Sequence, residues 1–492
     1  MNINPSLKDF LTLSKKHNLI VFSYKFFADW LTPLSIYYGL AKSMKGESFL
    51  LESVEGEEKV CRFSFLGFKP LCSFKSKDKK IYISNSSGSR SFETKKDPLY
   101  ELKKIMGSFK VAPKENLRFF GGFLGYLGYD AVRFYEPVGR KLADPLDTFD
   151  SYFILPKFII IFDHRTMQIE ILTFLELNNN KNLKDVYQEE KRVLQSIYKK
   201  IIIPHKPPLL NFQPSDLKMK SDFKKDDFIK AVKKIKKYIS DGEIIQSVLS
   251  QRFFVDFKGD PFTAYRYLRL LNPSPYMFYL NFKNVKVAGS SPEMLLRCEK
   301  DELITRPIAG TRKRGNSEIE DKKLEKSLLG DPKEQAEHIM LLDLARNDLG
   351  RISRSGSVEI PIFMTVERFS HVMHIVSEVR AKLNKGEDIF SSLISCFPAG
   401  TVSGAPKVRA MQIINELEPQ KRGIYAGCVG YFSFTKSLDT CIIIRTVVFK
   451  NNKAYVQAGA GIVSDSVPER EYKEIVSKAK AQVLALKLAY KR

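Results

Sequence analysis

The chain predicts an α+β fold in which antiparallel β-sheets pack together and helices lie on the outside. Three observations lead there. Apolar runs recur as neighbours across short polar turns, strands and helices do not alternate strictly as a doubly wound parallel sheet requires, and helical periodicity is confined to a few stretches.

Residues 1 to about 175 mix short apolar runs with turns, as in SFLLESVEG, RFSFLGF, FFGGFLGYLGYD and SYFILPKFIIIFD, which suits sheet with some helix. In the polar stretch that follows, Val186, Val193, Leu194 and Ile197 fall on one helix face. Prolines 204, 207, 208 and 214 then remove backbone donors, so a linker is expected over 202–222 between an N-terminal region, 1–201, and a second region, 223–492. A helix over about 224–240 stops at Asp241 and Gly242, where glycine can take the left-handed conformation that ends helices. QSVLSQRFFVDF is strand-like. Hairpins join YMFYLNF to VKVAGSS, LLRCEK to LITRPIAGT, and CIIIRTVVF to AYVQAGAGI, the last through Lys450, Asn451, Asn452 and Lys453. Further helices are expected over 320–349, 403–417 and 468–488.

With 492 residues, 43% of them hydrophobic, the chain can bury more than one core. Its longest apolar stretches, at 158–162 and 441–444, fall well short of the roughly twenty residues needed to span a bilayer. No membrane segment is expected. The opening MNINPSLKDFLTLSKKHNLIVF lacks the pattern of a secretion signal, so a cytoplasmic location is expected. Six cysteines, at 61, 72, 298, 396, 428 and 441, form no C-x-x-C pair and suit reduced, buried thiols. A net charge of +24 invites a nucleic-acid partner, yet Lys233, Lys234, Lys236 and Lys237 fall on a helix and no basic ribbon is interleaved with aromatic residues. Nucleic-acid binding is not expected.

The chemistry is concentrated in two pairs of glutamates, Glu334 with Glu337 and Glu471 with Glu474, each at a spacing that lines one helix face. One reading is two amphipathic helices with acidic solvent faces. If the helices face each other instead, their carboxylates repel unless a cation sits between them, and a donor set of oxygens without Cys or His suits Mg²⁺. Asp348 is expected on the face of Glu334 and Glu337, opposite Ile339, Leu342 and Leu344, and Lys478 on the stripe of Glu471 and Glu474. GAGIVSDS, after a strand, either lets backbone N–H groups approach an anion or makes an ordinary hairpin turn. FPAGTVSGAPK places Thr401, Ser403 and Lys407 before a helix, like an anion-receiving helix start. Arg445, inside an apolar strand, needs an anionic or carbonyl partner, either a structural ion pair or a ligand. His371 and His374 in SHVMH are satisfied core histidines or proton carriers.

Taken in order along the chain, LLES, GEIIQSVLSQRF, NPSPYMF, SSPEML, RPIAGTRKRG, AEHIMLLDLARNDLGR, SHVMHIVS, FPAGTVSGAPK, QAGAGIVSDS and PEREYKEIVSKA closely resemble the chorismate-utilising enzymes, and among them the anthranilate synthase component I family. The resemblance covers nearly the whole chain and implies their fold. Relatives that add water to chorismate carry a lysine base where this chain has Gln246. Aminodeoxychorismate synthases, the alternative within the fold, carry a lysine nucleophile where this chain has Ala309.

The resemblance implies Mg²⁺ held by Glu337 and Glu474, with Glu334 and Glu471 beside it. It implies Arg445 and Tyr425 on the enolpyruvyl carboxylate of chorismate, supported by the backbone of Gly459, Ala460 and Gly461, with Gly310, Thr311 and Thr401 lining the pocket. It casts Glu293 as the acid and His374 as a proton carrier, and counts Gln246, Glu334 and Lys478 among the catalytic groups. Ser53, Pro275, Tyr276 and Met277 match a feedback pocket for tryptophan. The implied partner is a glutamine amidotransferase subunit, component II, in a heterotetramer that delivers ammonia for anthranilate formation.

Overall fold

The computed structural model describes residues 2–53, 62–112, 114, 117–177, 182–369 and 372–490. Its strands pair antiparallel in one branched network. The branch point is the ladder between two long strands, Phe63–Lys77 and Ser151–Asp163. At one end Ser151–Ile154 pairs with Gly122–Leu127, and Cys72–Lys77 pairs with Lys80–Asn85. At the other end Phe158–Asp163 pairs with Gln168–Glu176, and Phe65–Phe68 pairs with Ser48–Glu52. Between the ends the register shifts at Pro70, which faces Pro156. Two prolines in register cannot donate to the ladder, and a bulge bends it, so one ladder feeds two sheets.

From one sheet the pairing runs through Cys428–Ser433, Leu438–Ile442, Met294–Glu299 and Glu302–Thr305 to Val372–Lys382. From the other it runs through Tyr276–Phe282, Val285–Ser291, Thr446–Lys450 and Lys453–Ile462 to Gln246–Asp256. The strand Tyr276–Phe282 shows where the cores lie. Phe278, Leu280 and Phe282 enter one core, shared with the 428–433 and 438–442 strands, whereas Met277 and Tyr279 enter a second, shared with the helices Pro33–Ser43, Lys225–Ser240 and Pro261–Leu271. A two-residue period thus buries both faces of the strand.

The expected hairpins form, and the expected helices are present with altered ends or an internal break, joined by others that were not expected, Pro261–Leu271 and Ile389–Cys396 among them. The 320–349 helix is two, Glu318–Leu329 and Pro332–Gly350, because Asp331 caps the second with Pro332 at its first position. The 403–417 helix starts at Lys407, after Pro406. The last helix breaks at Ala479 into Pro468–Lys478 and Lys480–Ala489, and the Lys478 carbonyl accepts instead from Arg445 Nη1 at 2.6 Å. Residues 203–224 carry no helix and meet the strand Gln246–Asp256 through the bridge of Lys220 with Phe254 and through Ser221 Oγ, which donates to the Arg252 carbonyl at 2.7 Å. Cys72, Cys298, Cys396, Cys428 and Cys441 are free and buried, while Cys61 lies outside the described residues. Among the described residues no helix is long and apolar enough to cross a membrane.

Candidate active site

The helix Pro332–Gly350 brings the first carboxylates. His338 is fully buried and its Nε2 lies 2.7 Å from Ser377 Oγ, and Leu341, Leu342 and Leu349 also turn inward, which fixes the helix against the strand Val372–Lys382. Glu334 and Glu337 then face the cleft. Glu334 Oε1 accepts from Arg312 Nη1 at 3.0 Å, and the same guanidinium reaches Asp331 at 2.8 Å. Glu337 lies 3.5 Å from the Gln246 amide nitrogen. Burial first, then the neighbouring Glu334 and Glu474 carboxylates, push the Glu337 carboxyl above its ordinary range, while Lys478 and Gln246 oppose the rise.

Glu474, on the helix Pro468–Lys478, is near enough for its charge to act on Glu337. Glu474 pairs with Lys478 at 2.7 Å, and Lys478 Nζ also donates to the Gly459 carbonyl at 3.1 Å. Burial raises the Glu471 carboxyl, Ser466 holds it back, and Glu474 adds to the rise. Among the described residues no group of three or more His, Cys, Asp and Glu stands ready to enclose a metal. Two helices each bring a carboxylate, Glu337 and Glu474, and Glu337 is raised by burial and by like charge. That set fits a hard divalent cation completed by water and an anionic ligand, and Glu337 and Glu474 are the pair that could hold it.

Arg445 is not inside a strand. The apolar run breaks into Leu438–Ile442 and Thr446–Lys450, and Arg445 occupies the bend between them at φ +52°. Held there by the Lys478 carbonyl, its guanidinium is largely buried. Burial lowers its proton affinity, and Tyr425 and Glu474 restore part of it. The Tyr425 hydroxyl is buried and pushed up to about 12. Gly459, Ala460 and Gly461 form neither a turn nor a free loop but the end of the strand Lys453–Ile462, opposite Ser250, Leu249 and Val248. Their small size makes room. A Cβ on Gly459 would stand 2.8 Å from Tyr425 Oη, and one on Gly461 2.6 Å from Gln246 Nε2.

His374 sits on the strand Val372–Lys382 opposite Thr311, where the partner strand Ile308–Lys313 bulges at Gly310. Gly310 has φ +68°, and a Cβ there would lie 3.0 Å from Glu334 Oε2. The bulge turns the Gly310 carbonyl to within 2.8 Å of His374 Nδ1, with Thr311 Oγ1 at 3.1 Å. A proton on Nδ1 satisfies that carbonyl and leaves Nε2 with its lone pair. Burial lowers the ring's proton affinity, the Gly310 carbonyl opposes this, and Arg445 lowers it further. His371 lies outside the described residues.

Glu293 stands between the strands Val285–Ser291 and Met294–Glu299, its backbone pinned by Ile442 N at 3.1 Å. Glu293 as a whole is 8% exposed, in a pocket it shares with Thr401, Leu341, Leu344 and Asp348. Burial pushes it up to about 8. The Thr401 hydroxyl and the more distant Lys478 charge pull the other way, although Thr401 Oγ1 makes no well-aligned hydrogen bond.

Three further expectations fail. Asp348 is not with Glu334 and Glu337 but pairs with Lys407 at 2.6 Å at the far end of the same helix. That pair also occupies the helix start after FPAGTVSGAP, so no anion seat remains at Lys407; Thr401 is in the turn Gly400–Val402, and the Ser403 hydroxyl donates to Ala399 O. Ile339 is 44% exposed rather than packed. Sequence reasoning also missed Arg312, which straps Glu334 to Asp331; an arginine two residues past a bulging glycine beside an acidic helix was the available signal.

Ser53, Pro275, Tyr276 and Met277 line one cavity of about 280 Å³, distant in sequence but joined because Ser48–Glu52 pairs with Tyr276–Phe282. Its polar end is the Tyr276 hydroxyl, 3.0 Å from Asp439, which Arg297 also reaches at 3.0 Å.

Because Glu293 binds its proton more tightly folded than unfolded, where 4.5 is ordinary, it withdraws stability as pH rises from about 5 to about 8. Thermal midpoints of wild type and Glu293→Gln should therefore coincide at the acid end and diverge towards pH 8, with the variant higher. A difference that does not change with pH would contradict the burial of this carboxyl.

The chain matches the family described as chorismate binding enzyme over residues 46–483. It is 47% identical to anthranilate synthase component 1 of Aquifex aeolicus (strain VF5), over 99% of both chains. It superposes on the crystal structure of anthranilate synthase component I from Streptococcus pneumoniae TIGR4 with TM-score 0.78 and 37% identity, covering 93% of this chain and 98% of that one. With the menaquinone-specific isochorismate synthase MenF from Escherichia coli it shares the fold, at TM-score 0.73 and 20% identity over 98% of each chain. The chain belongs to the chorismate binding enzyme family, on the anthranilate synthase component 1 branch.

Proposed function

We propose that this chain is the large subunit of anthranilate synthase, converting chorismate and ammonia to anthranilate, pyruvate and water in tryptophan biosynthesis. What supports the reading is that an acidic pair, a buried arginine, a neutral histidine and a protonated carboxyl lie within electrostatic reach of one another. Glu474 acts on both Glu337 and Arg445, Arg445 acts on His374, and Lys478 acts on both Glu337 and Glu293. A substrate with two carboxylates meets an arginine at one end and a cation site at the other.

Mg²⁺ would be held by Glu337 and Glu474, with Glu334 and Glu471 adjoining; when bound it offsets the charge of the ring carboxylate and draws electron density from the ring. Arg445 and the Tyr425 hydroxyl would take the enolpyruvyl carboxylate against the glycine-lined strand end, beside Gly310, Thr311 and Thr401. Glu293, protonated below about pH 8, donates to the C4 hydroxyl as it leaves while ammonia attacks C2. Nε2 of His374 then takes the C2 proton as the enolpyruvyl group departs and the ring becomes aromatic.

Two side chains favour this outcome over others on the same fold. At Gln246 an amide, held towards Glu337 at 3.5 Å, replaces the base that would activate water. At Ala309 a methyl group, facing Ile375 in the ladder, offers no nucleophile for the aminodeoxychorismate route. Ammonia comes from a glutamine amidotransferase partner, in a heterotetramer. A cytoplasmic setting accords with five free thiols.

Chorismate, Mg²⁺ and an ammonium salt should give fluorescent anthranilate with this chain alone, whereas glutamine should serve only once the partner is added; no anthranilate from the ammonium salt would sink the reading. With His374→Met the amino intermediate should accumulate, and unchanged anthranilate formation would remove His374 from the mechanism.

The Ser53 cavity is the proposed feedback site for tryptophan, with the rings of Phe63, Phe65 and Tyr431 around the indole. It acts by favouring one of two states of the sheet, since cavity and cleft are separate. Ser53→Ala should raise the tryptophan concentration for half-inhibition at least about fivefold with little change in kcat. Equal losses of inhibition and turnover would point to a fold defect.

A further inference from the structure

A cavity of about 260 Å³ opens where the loop at Asp147, the hairpin turn at Lys283 and the hairpin end at Lys450 meet. Cross-strand register builds one wall. Lys75 faces Tyr82 on one neighbouring strand and Tyr152 on the other, so ring, ammonium and ring stand in a row. The Lys75 Nζ lies 4.6 Å from the Tyr152 ring centre and 5.6 Å from that of Phe149, and the Phe149 and Tyr82 rings meet edge to face at 5.6 Å.

The cations around this space are unequally matched. Lys77 reaches Asp144 at 2.5 Å and Asp147 at 3.2 Å, and Lys450 reaches Asp147 at 3.7 Å. Among the described residues Lys75 and Lys283 form no ion pair, and Glu47, which acts on Lys75 through space, takes the Tyr152 hydroxyl at 2.6 Å. Burial and the repulsion of Lys283 lower the proton affinity of Lys75, with Glu47 opposing them. Two ammonium groups thus repel each other across an aromatic-walled space, an arrangement that an intervening anion relieves.

We propose that this cavity binds an aromatic carboxylate, its carboxylate between Lys75 and Lys283 and its ring against Tyr82 and Phe149. The volume sits near the lower end of ligand pockets, roughly 300 Å³, and suits one ring with small substituents. No arginine lines it, so the fork that favours phosphate is missing, and the rings give an aryl group more contact than a compact oxyanion could use. The site is apart from the catalytic cleft and the Ser53 cavity. Lys450 is five residues beyond Arg445, roughly 16 Å along extended chain.

Crystals of the full chain soaked with 4-bromobenzoate should show anomalous bromine density in this cavity, beside the rings of Tyr82 and Phe149. In solution, Lys75→Gln and, separately, Lys283→Gln on its exposed turn should each weaken benzoate binding by at least about fivefold, the scale of one lost charge contact. Chorismate turnover without benzoate and the thermal midpoint should stay as in wild type. Bromine density confined to the catalytic cleft or the Ser53 cavity, benzoate affinities unchanged in both variants, or inorganic phosphate bound as tightly as benzoate would overturn the assignment.

Discussion

The architecture of the cleft turns on carboxylates held against one another where water is scarce. Glu337 is placed by a helix locked to the sheet through His338 and Ser377, and Glu474 by a second helix whose end is tied down by Arg445. Neither helix would choose this opposition for its own sake. Like charges in a poorly hydrated space raise the cost of ionisation, and the chain accepts that cost through packing elsewhere. Lys478 and Arg312 each neutralise a neighbour, Glu474 and Glu334, yet Glu337 keeps only a long amide contact from Gln246. The charge left over is where a divalent ion is proposed to sit.

Around that centre the remaining groups are set by burial. Glu293 holds a proton because it is buried away from water, and His374 is uncharged because its ring is enclosed and an arginine's charge acts on it. An acid and a neutral imidazole therefore coexist near neutrality without any unusual chemistry in either side chain. The branched ladder at Pro70 and Pro156 lets one pair of long strands seed two sheets, and the tryptophan cavity proposed at Ser53 shares the strand Phe63–Lys77 with them.

Much of this was legible in the sequence. Glutamates three apart on a helix must share a face, and alternating apolar runs across Lys450 to Lys453 must form a hairpin. What escaped was decided by partners distant in sequence. Nothing local says that Asp348 meets Lys407 rather than the glutamates about three to four turns before it. The apolar letters around Arg445 look like unbroken strand, but its carbonyl partner belongs to a helix that must stop at Ala479 to supply it. Gly459 and Gly461 looked like turn residues because glycine favours turns; here they clear space for Tyr425 and Gln246. Their meaning is in the side chains opposite.

The most direct test is the thermal midpoint of wild type, Glu337→Gln and Glu474→Gln, each followed through a titration with magnesium chloride and no substrate. Without the ion, Glu337→Gln should melt above wild type, since a buried charge facing like charges has been removed. Added magnesium should raise the wild-type midpoint and leave both variants where they were. A wild type indifferent to magnesium, or a Glu337→Gln chain stabilised as strongly as wild type, would contradict the account.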